Sequence, residues 1–179
     1  MKTYKILVIG PFNAGKTTLI RTLCKEYLNT DKKLFIQNPI KQVTTVALDF
    51  GVFEISEKTI RLYGTPGQER FSFMWNVLSK GMNGYILMID SGDIESLEKA
   101  GRIYDFLRKA FPKTPHIVAV NKYDKPGFKM SCEDVRSALS VPSEIPVRPS
   151  IAINRKSAVN LIKSLITLIE EKENLMVVE

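Results

Sequence analysis

The sequence predicts an α/β protein: a three-layer α/β/α fold built on a six-stranded, mostly parallel sheet with one antiparallel edge strand. Short apolar runs rich in Val and Ile alternate with segments of helical period, the pattern of parallel strands joined by crossover helices. Two consecutive runs, 43–55 and 59–63, are separated only by the polar residues Ser56, Glu57 and Lys58, which predicts a hairpin and hence the antiparallel strand. Sheets of this kind bind ligands in the loops beyond the carboxyl ends of their strands.

In chain order, residues 4–9 are nearly all apolar and form the first strand. A helix is expected from Gly15 to about Leu28, with Leu19, Leu23 and Tyr27 on one face. The hairpin follows, and three further buried strands fall at 84–89, 116–120 and 147–151. Helices near 94–110 and 131–139 separate them; the second opens on a Ser-x-x-Asp capping box at Ser131 and Asp134. The last helix, about 156–172, carries Val159, Ile162, Ile166 and Ile169 on one stripe, widened by Leu161, Leu165 and Leu168.

With 179 residues, no internal repeat and no linker, the chain is expected to be one domain over 1–179 with one substantial core. Its apolar runs fall far short of the roughly 20 residues that span a bilayer, and 6–9 is too short for the core of a signal peptide. A soluble, cytoplasmic protein is expected, most simply a monomer. Two cysteines form neither a metal-ligand spacing nor a disulfide framework, and Cys24, at helical spacing from Ile20, reads as a small core hydrophobe. The single histidine, His116, opens an apolar strand and reads as structural. The net charge of +7 is spread out rather than clustered with aromatics. That describes a solvated basic surface, with an acidic partner or an anionic membrane as the alternative and no nucleic acid expected.

The segment Gly10-Pro11-Phe12-Asn13-Ala14-Gly15-Lys16-Thr17 matches the Walker A pattern and has the right context, a strand before and a helix after. Glycines let the backbone curl so that successive N–H groups face phosphate oxygens, and the helix start adds its own unpaired N–H groups and dipole. Lys16 would reach the β- and γ-phosphates and Thr17 would ligate magnesium, defining a P-loop NTPase.

Asn121-Lys122-Tyr123-Asp124 lies about one hundred residues further on, at the end of a buried strand. A carboxylate there accepts hydrogen bonds from N1–H and the exocyclic amine of guanine, neither of which adenine offers in that place. The Lys122 stem can cover the base plane while its ammonium stays hydrated.

These two motifs resemble those of the Ras-like small GTPases, and the resemblance extends over essentially the whole chain. It implies GTP or GDP with Mg2+ as ligands. Thr44-Thr45-Val46-Ala47-Leu48-Asp49-Phe50 is similar to a first switch, with Thr45 closing on magnesium and γ-phosphate. Gly64-Thr65-Pro66-Gly67-Gln68-Glu69-Arg70-Phe71 is similar to a second switch, in which the Gly67 N–H senses the γ-phosphate and Gln68 orients the attacking water. Ser150-Ile151-Ala152 matches the last base-contacting loop, where the Ala152 N–H would meet the guanine oxygen. The implied nucleotide site is therefore Gly10, Asn13, Ala14, Gly15, Lys16, Thr17, Thr18, Thr45, Gly67, Asn121, Lys122, Asp124, Ile151 and Ala152. Thr17 and Thr45 are its metal ligands, and Gln68 and Lys16 its catalytic residues. The combination looks most like prokaryotic Ras-, Rab- or Arf-like GTPases.

The chain departs from that family pattern in four places. Gly64 stands where an aspartate usually supports magnesium, which predicts weaker or rearranged metal binding, with Asp49 or Asp90 as substitutes. Phe12 replaces a small residue facing the γ-phosphate and is expected to crowd Gln68 or an incoming arginine, keeping hydrolysis slow. The stretch 27–43 is long, and either Phe35 or Tyr27 stacks on the base. Neither a Met-Gly start nor a Cys-a-a-X end is present, so direct lipidation is not expected.

Phe71, Phe73, Met74 and Trp75 crowd the residues after Gln68, and at least one of the last three is expected to be an exposed anchor for regulatory or effector proteins. These would contact the switches around Thr45 and from Phe71 to Trp75. The leading expectation is a GTPase switch. The alternatives are a non-hydrolysing guanine-nucleotide-binding module, an ATPase sharing the phosphate loop and, last, a nucleic-acid binder.

Overall fold

A computed structural model describes residues 2–30, 48–67 and 72–178. Its elements run β1 (Lys2–Ile9), α1 (Lys16–Leu23), β2 (Glu26–Thr30), β3 (Leu48–Ile55), β4 (Lys58–Gly64), α2 (Phe73–Ser79), β5 (Gly84–Asp90), α3 (Ile94–Ala110), β6 (His116–Asn121), α4 (Cys132–Ala138), β7 (Val147–Pro149) and α5 (Arg155–Val178). The strands form one sheet in the order β2-β3-β4-β1-β5-β6-β7. The β4-β1-β5-β6-β7 part is parallel, while β3 is antiparallel to both β2 and β4.

The expected three-layer fold and mostly parallel sheet are present. Strand β2 extends the expected six strands to seven and makes β3 the second strand from the edge. Its presence also shortens the first helix. The periodicity suggested a helix to Leu28, but α1 stops at Leu23, and Cys24 is extended with its N–H on the Ile20 carbonyl. A distant residue caps the break: Arg155, at the start of α5, donates from Nη1 to the Thr22 and Leu23 carbonyls at 2.7 and 3.1 Å. Cations at a helix C-terminus satisfy its last carbonyls and its dipole. Tyr27 consequently lies on β2 opposite Gly51, not on the helix face.

Alternation along the central strands sorts the core into two layers. Ile6 and Val8 of β1 face α1 and α5, whereas Leu7 and Ile9 face α2, α3 and α4. The expected stripe on α5 supplies the first layer, with Ile162, Ile166 and Ile169 buried and Val159 packed beside them. The second holds Met74 and Trp75 of α2, the latter 5.5 Å from the Phe106 ring. Helix α4 opens on the expected capping box, in which Asp134 N–H donates to Ser131 Oγ at 3.0 Å and Ser131 N–H to the Asp134 carboxylate at 2.8 Å.

The histidine is structural. His116 stacks on Tyr85 with ring centroids 4.5 Å apart and an interplanar angle of 4°. Its Nδ1 lies 2.9 Å from the Thr114 carbonyl, so that nitrogen carries the proton, and Nε2 accepts from the Tyr104 hydroxyl at 3.1 Å. Burial lowers its pKa below the ordinary 6.5. Cys24 is buried in the α1/α5 layer, as its spacing suggested, and burial raises its thiol to about 11. Among the described residues no helix is long and apolar enough to cross a membrane.

Candidate functional site

The site is assembled at the carboxyl ends of β1, β4, β5 and β6, where a parallel sheet leaves its loops to meet. The loop from β1 to α1 requires two glycines. A Cβ on Gly10 would fall on the Met88 carbonyl oxygen, and one on Gly15 would fall on the Asn121 side-chain amide. Gly15 has φ +103, and Asn13 also turns left-handed at φ 63. This path curls the loop before α1, whose N-cap Gly15 leaves the first-turn N–H groups without a side-chain cap. A helix start of this kind accepts an anion.

Lys16, only 7% exposed, folds its ammonium back to donate to the Gly10 and Pro11 carbonyls at 2.7 and 2.6 Å. Burial pulls its pKa down to about 8, opposed by the nearby Asp49 carboxylate. Gly67 closes over the loop. Its Cβ position would lie 2.5 Å from the Phe12 nitrogen and 2.7 Å from Lys16 Nζ, so only glycine can approach so closely. Phe12 itself is 69% exposed, with its ring turned to solvent rather than packed in the loop.

Asn121 is the joint between the phosphate loop and the base loops. It is 1% exposed, and its Nδ2 donates to the Ala14 carbonyl at 2.9 Å. Its Oδ1 accepts from Ser150 Oγ at 3.2 Å and from the Ala152 N–H at 3.0 Å. The Ala152 N–H, expected from the sequence to meet guanine, donates here to Asn121 Oδ1 at 3.0 Å. The Ile151 N–H is held by Ser157 Oγ at 3.0 Å. Lys122, left-handed at φ 61, pairs with Asp90 at 2.5 Å, which aligns its stem along the mouth between β5 and β6. Asp124 is exposed in the same loop.

Asp90 is therefore committed to Lys122 and to the Gly92 N–H at 3.1 Å. The other substitute suggested by the sequence, Asp49, accepts a hydrogen bond from the Thr17 hydroxyl. Hydroxyl and carboxylate oxygens side by side at a phosphate loop are a hard donor set that fits magnesium. Thr18, half-buried on α1, continues the loop. Thr65 leads into Gly67; it is 3% exposed, and its hydroxyl has no hydrogen-bond partner among the described residues. Thr45, Gln68, Phe71 and Phe35 lie outside the described residues, as does the side chain of Tyr27.

Two contributors escaped the sequence reading. Ser150 was legible only as part of a loop motif, yet it is 3% exposed and its hydroxyl orients Asn121. Arg155, which ties α5 to the end of the phosphate-loop helix, has no local signal. Beyond the loops, Met74 and Trp75 are buried, whereas Phe73 is 41% exposed. Phe50 and Tyr63 pair with ring centroids 4.9 Å apart.

The glycine-shaped loop, the buried lysine and the asparagine joint define a P-loop nucleotide-binding protein. A family model described as Roc, the Ras of Complex, Roc, domain of DAPkinase, matches residues 5–124. The uncharacterized protein MJ1339 of Methanocaldococcus jannaschii is 33% identical over 120 residues, covering 67% of this chain and 70% of the relative. ADP-ribosylation factor-like protein 3 of Saccharomyces cerevisiae is 30% identical over 145 residues, 79% of this chain and 70% of the relative. ADP-ribosylation factor-related protein 1 of Bos taurus is 27% identical over 141 residues, 78% of this chain and 64% of the relative. The chain belongs to the Roc family of Ras-like small GTPases, the GTP-binding switch proteins.

Proposed function

We propose that this protein cycles between GTP- and GDP-bound states with magnesium and slowly hydrolyses GTP, as a switch read by effector proteins. The observation that carries the reading is the Asn121 joint. One buried amide holds the phosphate loop through Ala14 and the base loop through Ala152, so the two halves of a guanine nucleotide would bind to one rigid frame.

The chain's own groups divide the work. The N–H groups opening α1 and the Lys16 ammonium neutralise the β- and γ-phosphates, and Lys16 exchanges two carbonyl partners for phosphate oxygens. Thr17 and Thr45 would hold a magnesium ion, which would supply charge neutralisation for the phosphates. Asp124 selects guanine, the Lys122 stem covers the base, and Gln68 orients the water that attacks in line. Nothing here is covalent, so positioning and electrostatics set the rate, expected on the order of 10⁻⁴ s⁻¹ without a partner. The close packing of Gly67 against the Phe12 nitrogen and Lys16 supports its sensing a γ-phosphate, and the exposure of Phe73 supports its acting as an anchor beside the second switch.

A non-hydrolysing binding module is the second reading, favoured by Gly64, which leaves β4 without a carboxylate. Binding of GTP against ATP and single-turnover hydrolysis separate the two, using wild type, Asp124→Ala and Gln68→Leu. GTP preference lost in Asp124→Ala and slow turnover lost in Gln68→Leu support the switch. Guanine-selective binding without turnover supports the module, and equal binding of ATP refutes both.

A further inference from the structure

We propose that Asp49 of β3 supplies the protein carboxylate of the magnesium site, acting beside Thr17 in place of a side chain that β4 lacks. This rests on the magnesium–nucleotide reading above and assigns a residue to it.

Strand register places Asp49 there. Asp49, Gly51 and Phe53 alternate onto the face of β3 that meets α1. A Cβ on Gly51 would fall 2.5 Å from Cys24 Sγ, and Phe53 is buried in the same layer as Leu19 and Ile20. Asp49 is the member of that row at the phosphate-loop end, and its carboxylate accepts a hydrogen bond from the Thr17 hydroxyl. A hydroxyl oxygen has two lone pairs, so Thr17 can donate to Asp49 and still coordinate a cation.

The glycine across the ladder explains why the carboxylate comes from β3. Asp49 pairs directly with Gly64, whose neighbours Leu62 and Ile60 point into the same α1-facing layer. A Cβ on Gly64 would lie 2.9 Å from the Asp49 Cβ, 2.9 Å from Ile20 Cδ1 and 3.4 Å from Asp49 Oδ2. The two positions therefore compete for one volume beside Thr17, and here the β3 side chain fills it. Asp90 is not available, being held by Lys122 and the Gly92 N–H.

The test follows release of fluorescently labelled GDP from preloaded protein as free Mg2+ is raised from an EDTA baseline. Wild type should release GDP more slowly as Mg2+ rises, with a defined midpoint. The isosteric Asp49→Asn should move that midpoint to ~10–100-fold higher Mg2+, the usual cost of losing a carboxylate that supports a metal site. Measurable GDP release in EDTA shows that the variant is folded and holds nucleotide, and the Mg2+ midpoint is read relative to each form's own EDTA rate. Asp49→Gly should weaken Mg2+ similarly, and the exchange Asp49→Gly with Gly64→Asp should bring the midpoint back toward wild type. An unmoved midpoint in Asp49→Asn overturns the inference alone. So does an exchanged pair that binds GDP but stays as weak as Asp49→Gly. Failure of every form to bind GDP overturns the nucleotide reading and this inference with it.

Discussion

Replacing Asn121 with alanine tests whether one buried amide joins the two halves of the site. The substitution leaves the Ala14 carbonyl and the Ala152 N–H without their partner in a region where Asn121, Ala14 and Ala152 are 1%, 0% and 4% exposed. A buried backbone group left unsatisfied costs ~1–3 kcal/mol. The Ser150 hydroxyl can rotate to another acceptor and is not counted. Partial relaxation and water entry keep the sum toward the lower end, so Asn121→Ala should destabilise the nucleotide-free protein by ~3 kcal/mol. In a chain of this length that lowers the melting temperature by roughly 6–12 °C. Urea denaturation of nucleotide-free protein measures the first quantity and differential scanning calorimetry the second. Asn121→Asp, which keeps the size but faces a carboxylate oxygen toward the Ala14 carbonyl, should be no better. A loss in Asn121→Ala below ~0.5 kcal/mol, the scale of a surface substitution, would refute the reasoning.

Two further outcomes follow from groups away from the nucleotide. Burial holds His116 neutral, with its pKa below 6.5, so above that value neither folded nor unfolded chain is protonated there. Below 6.5 only the unfolded chain takes up the proton, and stability falls as pH drops toward the folded-state pKa. Urea midpoints between about pH 7.5 and 5.5 should decline more steeply for wild type than for His116→Gln, and equal slopes would contradict the burial argument. Arg155→Ala removes both donors from the end of α1 and, because the guanidinium is exposed, should cost only ~1 kcal/mol. Hydrogen exchange should quicken in the last turn of α1, and an unchanged rate there would dismiss the capping role.

The local chemistry of this protein was written in its sequence. Walker A spacing between a strand and a helix requires glycines at Gly10 and Gly15, because a Cβ at either would strike Met88 or Asn121. The Ser131–Asp134 capping box and the apolar stripe of α5 are likewise contained within a few turns of chain. Such signals are legible because the residues that interact are neighbours along one element.

What remained open depended on residues far apart in the chain. Periodicity carried α1 on to Leu28, whereas Arg155, 132 residues beyond Leu23, caps it at Leu23 and the chain turns back as β2. Four crowded apolar residues after Gln68 did not say which faced solvent; the docking of α2 on α3 buries Met74 and Trp75 and leaves Phe73 exposed. Both Asp49 and Asp90 were open to the loss of a carboxylate at Gly64. Strand register sets Asp49 opposite Gly64 and beside Thr17, while Lys122 pairs with Asp90, and it is this arrangement that the proposal of Asp49 rests on. Sequence specifies which groups are present and their local conformation; only the packed sheet brings a β3 carboxylate across to the end of β1, because register and face are properties of strand pairs.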